Sequence, residues 1–185
     1  MPSIGTPAGS LVNAGFTDPA LSAQGAAGER ATAEILDRCC LNGATVLHDL
    51  NIPGSWANID HLVVAGQRLW LIDSKRWKPG FYWRVGTGPA RRGMELFTPA
   101  DKTTMVMARD RLGRWLTERG VTPRWWPATV VVWPSNGSKM TLWALGGMPG
   151  AGVVTPARFT SLARERCRRR ADPALLAALA CLVRR

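Results

Sequence analysis

Acidic residues are scarce in this chain, and tyrosine, histidine and cysteine are nearly absent. Of its 185 residues, 24 are Lys or Arg against 13 Asp or Glu, giving a formal charge of +11, with one Tyr, two His and four Cys. The cysteines stand at 39, 40, 167 and 181 without a Cys-x-x-Cys pair. Adjacent thiols on one helix do not easily share a tetrahedral ion, so a zinc ribbon or finger is excluded and reduced thiols in a cytoplasmic protein are expected. His48 has no Cys or His at zinc spacing. No apolar run approaches the roughly 18–20 residues that cross a bilayer. The N-terminus lacks a basic stretch leading into an apolar one, so no secretory signal is expected.

What the chain does contain is nine Trp and 46% hydrophobic residues, enough to bury a substantial core in one domain. The positive surplus is uneven. Residues 1–60 hold two basic and six acidic groups, residues 61–155 fourteen and five, residues 156–185 eight and two. A basic surface draws polyanions through counterion release, which applies to nucleic acid and to anionic lipid alike.

Residues 1–17, rich in Gly, Pro, Ser and Ala, read as a flexible arm. Asp18 and Pro19 read as the cap and first position of a helix through about Cys40, ended by Asn42-Gly43; Gly25 and Gly28 weaken its early turns. A strand over 44–50 and a loop over 51–57 follow. Segments 81–85 and 94–97 read as a small hairpin around Gly86-Thr87-Gly88-Pro89. Thr98-Pro99 reads as the cap of a helix to about Arg119, with Met105, Ala108, Leu112, Trp115 and Leu116 at helical spacing. Residues 128–133 form a short apolar strand, central in the sheet, and 140–145 another. Thr155-Pro156 and Asp172-Pro173 cap two last helices. This order predicts an α/β sandwich, a mixed β-sheet flanked by helices. It divides into the arm at 1–17, a domain at 18–155 and a basic helical extension at 156–185 packed on it.

The most informative stretch is Asn58-Ile59-Asp60-His61, followed twelve residues after His61 by Asp73-Ser74-Lys75. Two apolar runs between them are split by Gly66-Gln67, the signature of a two-residue hairpin. If Gly66 and Gln67 form the loop, Ala65 faces Arg68 and Asp60 stands opposite Asp73. Lys75, two residues further, points to the same face as Asp73. Carboxylates side by side repel unless a cation lies between them. The pattern points to a divalent-metal site for phosphodiester cleavage.

Four segments resemble the nuclease-related domain (NERD) family of the restriction-endonuclease-like, PD-(D/E)xK superfamily. They are Gly25-Ala26-Ala27-Gly28-Glu29, Val46-Leu47-His48-Asp49-Leu50, Asn58-Ile59-Asp60-His61-Leu62-Val63-Val64 and Leu71-Ile72-Asp73-Ser74-Lys75-Arg76-Trp77. The resemblance spans roughly residues 22–135 and implies a restriction-endonuclease-like fold. It implies Asp60 and Asp73 as metal ligands, Glu29 completing the metal shell or orienting a water, and Lys75 positioning or deprotonating the attacking water. The implied ion is magnesium, with manganese as a substitute. The family more often has Glu at the place of Asp73 and a Gln at the place of Lys102.

Arg76, Lys78 and Arg84 flank the expected site and are the first choices for DNA contacts, with Lys102 and the run Arg168, Arg169, Arg170 after them. Trp56, Trp77 and Trp83 could stack on bases, though packing is the commoner role. His61 falls on the face opposite Asp60 and reads as a packed or orienting residue. The last helix carries Leu175, Leu176, Leu179, Leu182 and Val183 on one stripe, read first as core, second as a homodimer contact and third as a membrane contact. The expected activity is a magnesium-dependent deoxyribonuclease needing no organic cofactor. The alternatives are a DNA-binding module of the same fold with weak or no catalysis, and a basic peripheral membrane protein.

Overall fold

A computed structural model describes residues 3–9, 19–41 and 43–184 of the chain. The central sheet has seven strands: β1 (Ser3–Ile4), β2 (Thr45–Asn51), β3 (Asn58–Ala65), β4 (Arg68–Trp77), β8 (Arg124–Trp125), β9 (Ala128–Pro134) and β11 (Ala151–Val154). The path runs β1-β2-β3-β4-β9-β11, with β8 alongside β4. The strands β2, β3 and β4 are antiparallel neighbours, whereas β4–β9 and β9–β11 are parallel. The sheet is mixed, as expected. A second sheet, in the order β10-β5-β6-β7, joins β5 (Gly80–Trp83), β6 (Arg91–Arg92), β7 (Glu95–Leu96) and β10 (Met140–Ala144).

Among the described residues, helices α1 (Pro19–Cys40), α2 (Thr104–Thr117), α3 (Pro156–Arg166) and α4 (Pro173–Ala180) cover the faces. Helix α1 buries Ala26, Glu29, Ala33, Leu36 and Cys40, a three–four spacing that lines one helical face. That face, with Phe159 and Ala163 of α3, packs on Val46, Val63, Trp70, Ile72 and Val131. Trp70 is locked there by Phe159, ring centroids 5.3 Å apart, and by its indole N–H on Thr129 Oγ1 at 2.9 Å. The opposite face meets Met105, Ala108, Leu112 and Leu116 of α2 and Leu175 and Leu179 of α4. Each such fully buried side chain contributes about 1.5–3 kcal/mol of transfer free energy. The apolar stripe of α4 is therefore core.

The hairpin β3–β4 has the expected register, from Ala65↔Arg68 to His61↔Ile72. Its loop is Gly66-Gln67, with Gly66 at φ +58 and Gln67 outside the left-handed region, as a type II′ turn requires. The caps Thr155 and Asp172 bond the backbone N–H groups of Arg158 and of Ala174 and Leu175.

Several expectations are corrected. Residues 3–9 are not a loose arm: Ser3 and Ile4 pair in parallel with Val46 and Leu47, and Ala8 is buried. Asp18, Asn42 and residues 10–17 lie outside the described residues. Thr98–Asp101 is a 3-10 turn, and α2 starts at Thr104, because Phe97 offers no side-chain cap and Lys102 is extended. Met94 sits between β6 and β7 rather than opening a strand, since β5 pairs with β6. The strand at 140–144 joins β5 instead of the main sheet. Among the described residues no helix is long and apolar enough to cross a membrane.

Candidate active site

The alternation of β2 and β3 breaks at one place in each strand. Leu47 and Leu50 belong to the same core layer although three residues apart, and so do Ile59 and Leu62. Residues three apart on a regular strand face opposite sides. The break falls at Asp49 and Asp60. The ladder pairs His48↔His61 and Leu50↔Ile59 but skips the two aspartates between them. Asp49 holds the left-handed φ of +52, which only a residue with a short polar side chain adopts at modest cost. Its Oδ1 accepts from Asn58 Nδ2 at 2.8 Å.

The β3–β4 ladder ends at the neighbouring step. Asp60 is in register with Asp73, but the last paired residues are His61 and Ile72. Instead, Ser74 N–H donates to Asp60 Oδ2 at 2.7 Å. From Ile72 onward β4 also pairs with β9, Lys75 lying beside Val132. Asp49, Asp60 and Asp73 thus occupy one row across three adjacent strands. Lys75 Nζ bonds Asp73 Oδ1 at 2.7 Å, with the lysine side chain 37% exposed and the aspartate 13%. Glu29 joins from α1, where it takes an apolar position of the buried stripe and is 5% exposed.

The electrostatics follow from this convergence. Burial lifts the Asp60 carboxyl well above the usual range, Asp73 and Glu29 add to the rise, and Lys75 and the Ser74 N–H oppose it. Burial drives Glu29 up to about 7; Lys75 lowers it, Asp49 and Asp73 raise it, and a backbone hydrogen bond at Ala8 lowers it. Burial alone would depress Lys75, but Asp73, then Asp60 and Glu29, outweigh it and hold the amine above its ordinary value. More anion than cation is buried here. Among the described residues Glu29 Oε2 has no hydrogen-bond partner.

An orphaned carboxylate oxygen beside mutually repelling acids fits a hard cation. Among the described residues no three His, Cys, Asp or Glu side chains are grouped so as to hold a metal by themselves. The donors at the site are carboxylate oxygens, the kind a hard divalent cation takes.

Below this row, facing α1, runs a buried polar chain. His48 Nε2 meets Asp37 Oδ1 at 3.3 Å, and the Nδ1 atoms of His48 and His61 lie 2.8 Å apart. His61 Nε2 reaches Ser74 Oγ at 3.3 Å, and Ser74 Oγ bonds Thr32 Oγ1 at 2.8 Å. Burial pushes both imidazoles down, His61 well below its ordinary range. His61 thereby fixes Ser74, whose N–H fixes Asp60.

The basic residues expected at the site are not all brought to it. Arg76 lies across Gly28, where a Cβ would come within 2.9 Å of its Cγ, and donates to Ser135 O at 2.9 Å. Arg84 is paired with Asp101 at 2.6 Å rather than free. Lys78 and Lys102 are exposed. Arg168, Arg169 and Arg170 are exposed at the far end of the hairpin: Gly66 N–H bonds Arg170 O at 2.9 Å. Gly66 is six residue steps from Asp60 along the strand, about 20 Å at 3.4 Å per residue. Trp77 is core, stacked with Tyr82 and Phe97, and Trp83 bonds Gly93 O. Trp56 is 100% exposed.

Sequence reasoning missed Asp49, the Ser74 N–H and the histidine pair. The signal for Asp49 was its place in the first strand, but the 52–57 loop does not fix the register between β2 and β3.

No match was found among curated proteins or among solved structures. The model of the nuclease-related domain matches residues 24–106, a stretch that holds Glu29, Asp49, Asp60, Asp73 and Lys75. The four segments that resemble the nuclease-related domain (NERD) all lie within the matched residues 24–106, and placement of that stretch in the PD-(D/E)xK superfamily is consistent with the match.

Proposed function

We propose that this nuclease-related protein is a magnesium-dependent deoxyribonuclease working at the Glu29–Asp60–Asp73–Lys75 cluster. The observation that carries this reading is the clustering itself: three acids from α1, β3 and β4 act electrostatically on one lysine inside the stretch that matches the family. Magnesium, or manganese in its place, would be held by Asp60 and Asp73 with Glu29 orienting a water beside it, and would supply neutralisation of the phosphate and a more acidic water.

The chain's own groups divide the remaining work. Lys75 keeps its proton because Asp73 and Asp60 face it. Positioning the attacking water and balancing charge on the phosphate oxygens suit it; deprotonating the water does not. Glu29 Oε2, without a partner among the described residues, is the atom able to accept a hydrogen bond from that water. Asp60 is held in place by the Ser74 N–H, so its second oxygen is pre-aimed. Lys78, exposed directly after the acid–lysine segment that ends at Trp77, is placed to receive a flanking phosphate.

Incubation of supercoiled plasmid with purified protein tests this reading. Nicked and linear products are expected with magnesium or manganese, and none with EDTA. Retarded but uncut plasmid under all three conditions would support the binding-module alternative instead.

A further inference from the structure

We propose that Cys40 and Cys167 form a reversible dithiol–disulfide pair that clamps α1 to α3, oxidised by small disulfides entering through a basic cleft beside them. The inference does not rest on the nuclease reading. The two residues are 127 positions apart, yet their sulfurs lie 3.4 Å from each other in the buried layer between sheet and helices. A disulfide needs about 2.05 Å, so a closure of little more than 1 Å joins them. Each residue ends a helix: Cys40 is the last of α1, and Cys167 caps α3. Helix ends open at lower free energy than the fold as a whole, which gives the buried sulfurs access to a reagent.

The two thiols are unequal. Cys40 donates its S–H to Cys167, and this bond, with Arg166 assisting, draws Cys167 below its ordinary value against the effect of burial. The same bond and burial hold Cys40 up. Cys167, which unlike Cys40 lines the cleft between the two helices, is assigned as the attacking thiol and Cys40 as the resolving one. Cys167 lines a cleft between the two helices together with Cys39, Arg38, Arg164 and Arg168. Three guanidinium groups there favour a small disulfide bearing carboxylates, such as oxidised glutathione.

The exchange balances. Cys167 attacks one sulfur of the small disulfide, that S–S bond breaks, and its other half leaves and takes up a proton. Cys40 then gives its proton to solvent and attacks the Cys167 sulfur, expelling the second half as a thiol. The protein pair loses two electrons and the small disulfide gains them.

The test treats the full chain, natively folded, with oxidised glutathione, blocks remaining thiols by alkylation and maps the peptides by mass spectrometry. A Cys40–Cys167 linked pair is expected, with Cys39 and Cys181 alkylated. Closing so long a loop should raise Tm by about 10 °C, reversibly with dithiothreitol. Cys40→Ser should stop at a glutathione adduct on Cys167. Failure of any link to form, a link through Cys39 instead, or a link that leaves Tm unchanged would overturn the proposal. The wild-type map decides even if the variants fold poorly.

Discussion

Ser74 gives its backbone N–H to the Asp60 carboxylate at 2.7 Å, one step past the last paired residues of the hairpin. A side chain thus takes the place of a strand carbonyl, and a buried negative charge is held at the mouth of the ladder. Removing that charge while keeping the acceptor should stabilise the metal-free protein. Asp60→Asn is expected to raise unfolding free energy at pH 8 by about 0.5–2 kcal/mol, a common gain where a functional group strains the fold. The native Asp60 binds its proton more tightly than the unfolded chain does, so it stabilises the fold at low pH and loses that contribution as pH rises. The advantage of Asn should accordingly shrink on acidification. Urea unfolding at pH 5 and pH 8 measures both.

Glu29 gives a sharper pH window. Its carboxyl is raised from 4.5 to about 7. Below about 4.5 both native and unfolded chains hold the proton; between the two values only the native chain does. Its contribution to stability is therefore lost as pH climbs through about 7. Glu29→Gln should flatten this part of the stability profile. An unchanged slope between pH 5 and pH 8 would show that Glu29 titrates normally.

The left-handed backbone at Asp49 predicts an unusual order of substitutions. Asp49→Gly and Asp49→Ala both lose the bond from Asn58. Alanine keeps the Cβ that the left-handed backbone disfavours by about 1–2 kcal/mol, whereas glycine relieves it. Glycine should thus be the milder change by about 1 kcal/mol, despite its greater freedom when unfolded. Chemical denaturation of the two variants side by side gives the difference directly.

Distance separates the arginine run from the carboxylates. Arg168, Arg169 and Arg170 border the Gly66 turn, about 20 Å along β3 from Asp60. Replacing all three by alanine should weaken binding to long duplex and lower its salt dependence, each phosphate contact contributing roughly 0.9 to the slope. Single-turnover cleavage at saturating DNA should stay within about threefold of wild type. A collapse of the cleavage rate would put these arginines at the reacting phosphate.

Much of this arrangement was legible in the residues. The hairpin was, because Gly66-Gln67 between two apolar runs admits one tight register, and that register aligns Asp60 with Asp73. The caps at Thr155 and Asp172 were as well, since a short polar side chain before proline has few other uses. The bend at Asp49 was not, because a positive φ on aspartate leaves no mark in composition. Nor was the pairing of Arg84 with Asp101 or of Cys40 with Cys167, which depends on how the small sheet and α3 fold back. Glu29 left a trace that could have been read more firmly: it interrupts the stripe Ala26, Ala33, Leu36, Cys40, and an acid in an apolar row must have a partner or a task.

The most direct measurement compares magnesium-dependent plasmid cleavage by wild type and by Asp60→Asn, with binding of the same DNA measured in parallel. The expected result is a fall in cleavage of about a hundredfold or more, with affinity for DNA little changed. Equal cleavage by the two proteins would contradict the assignment of the site.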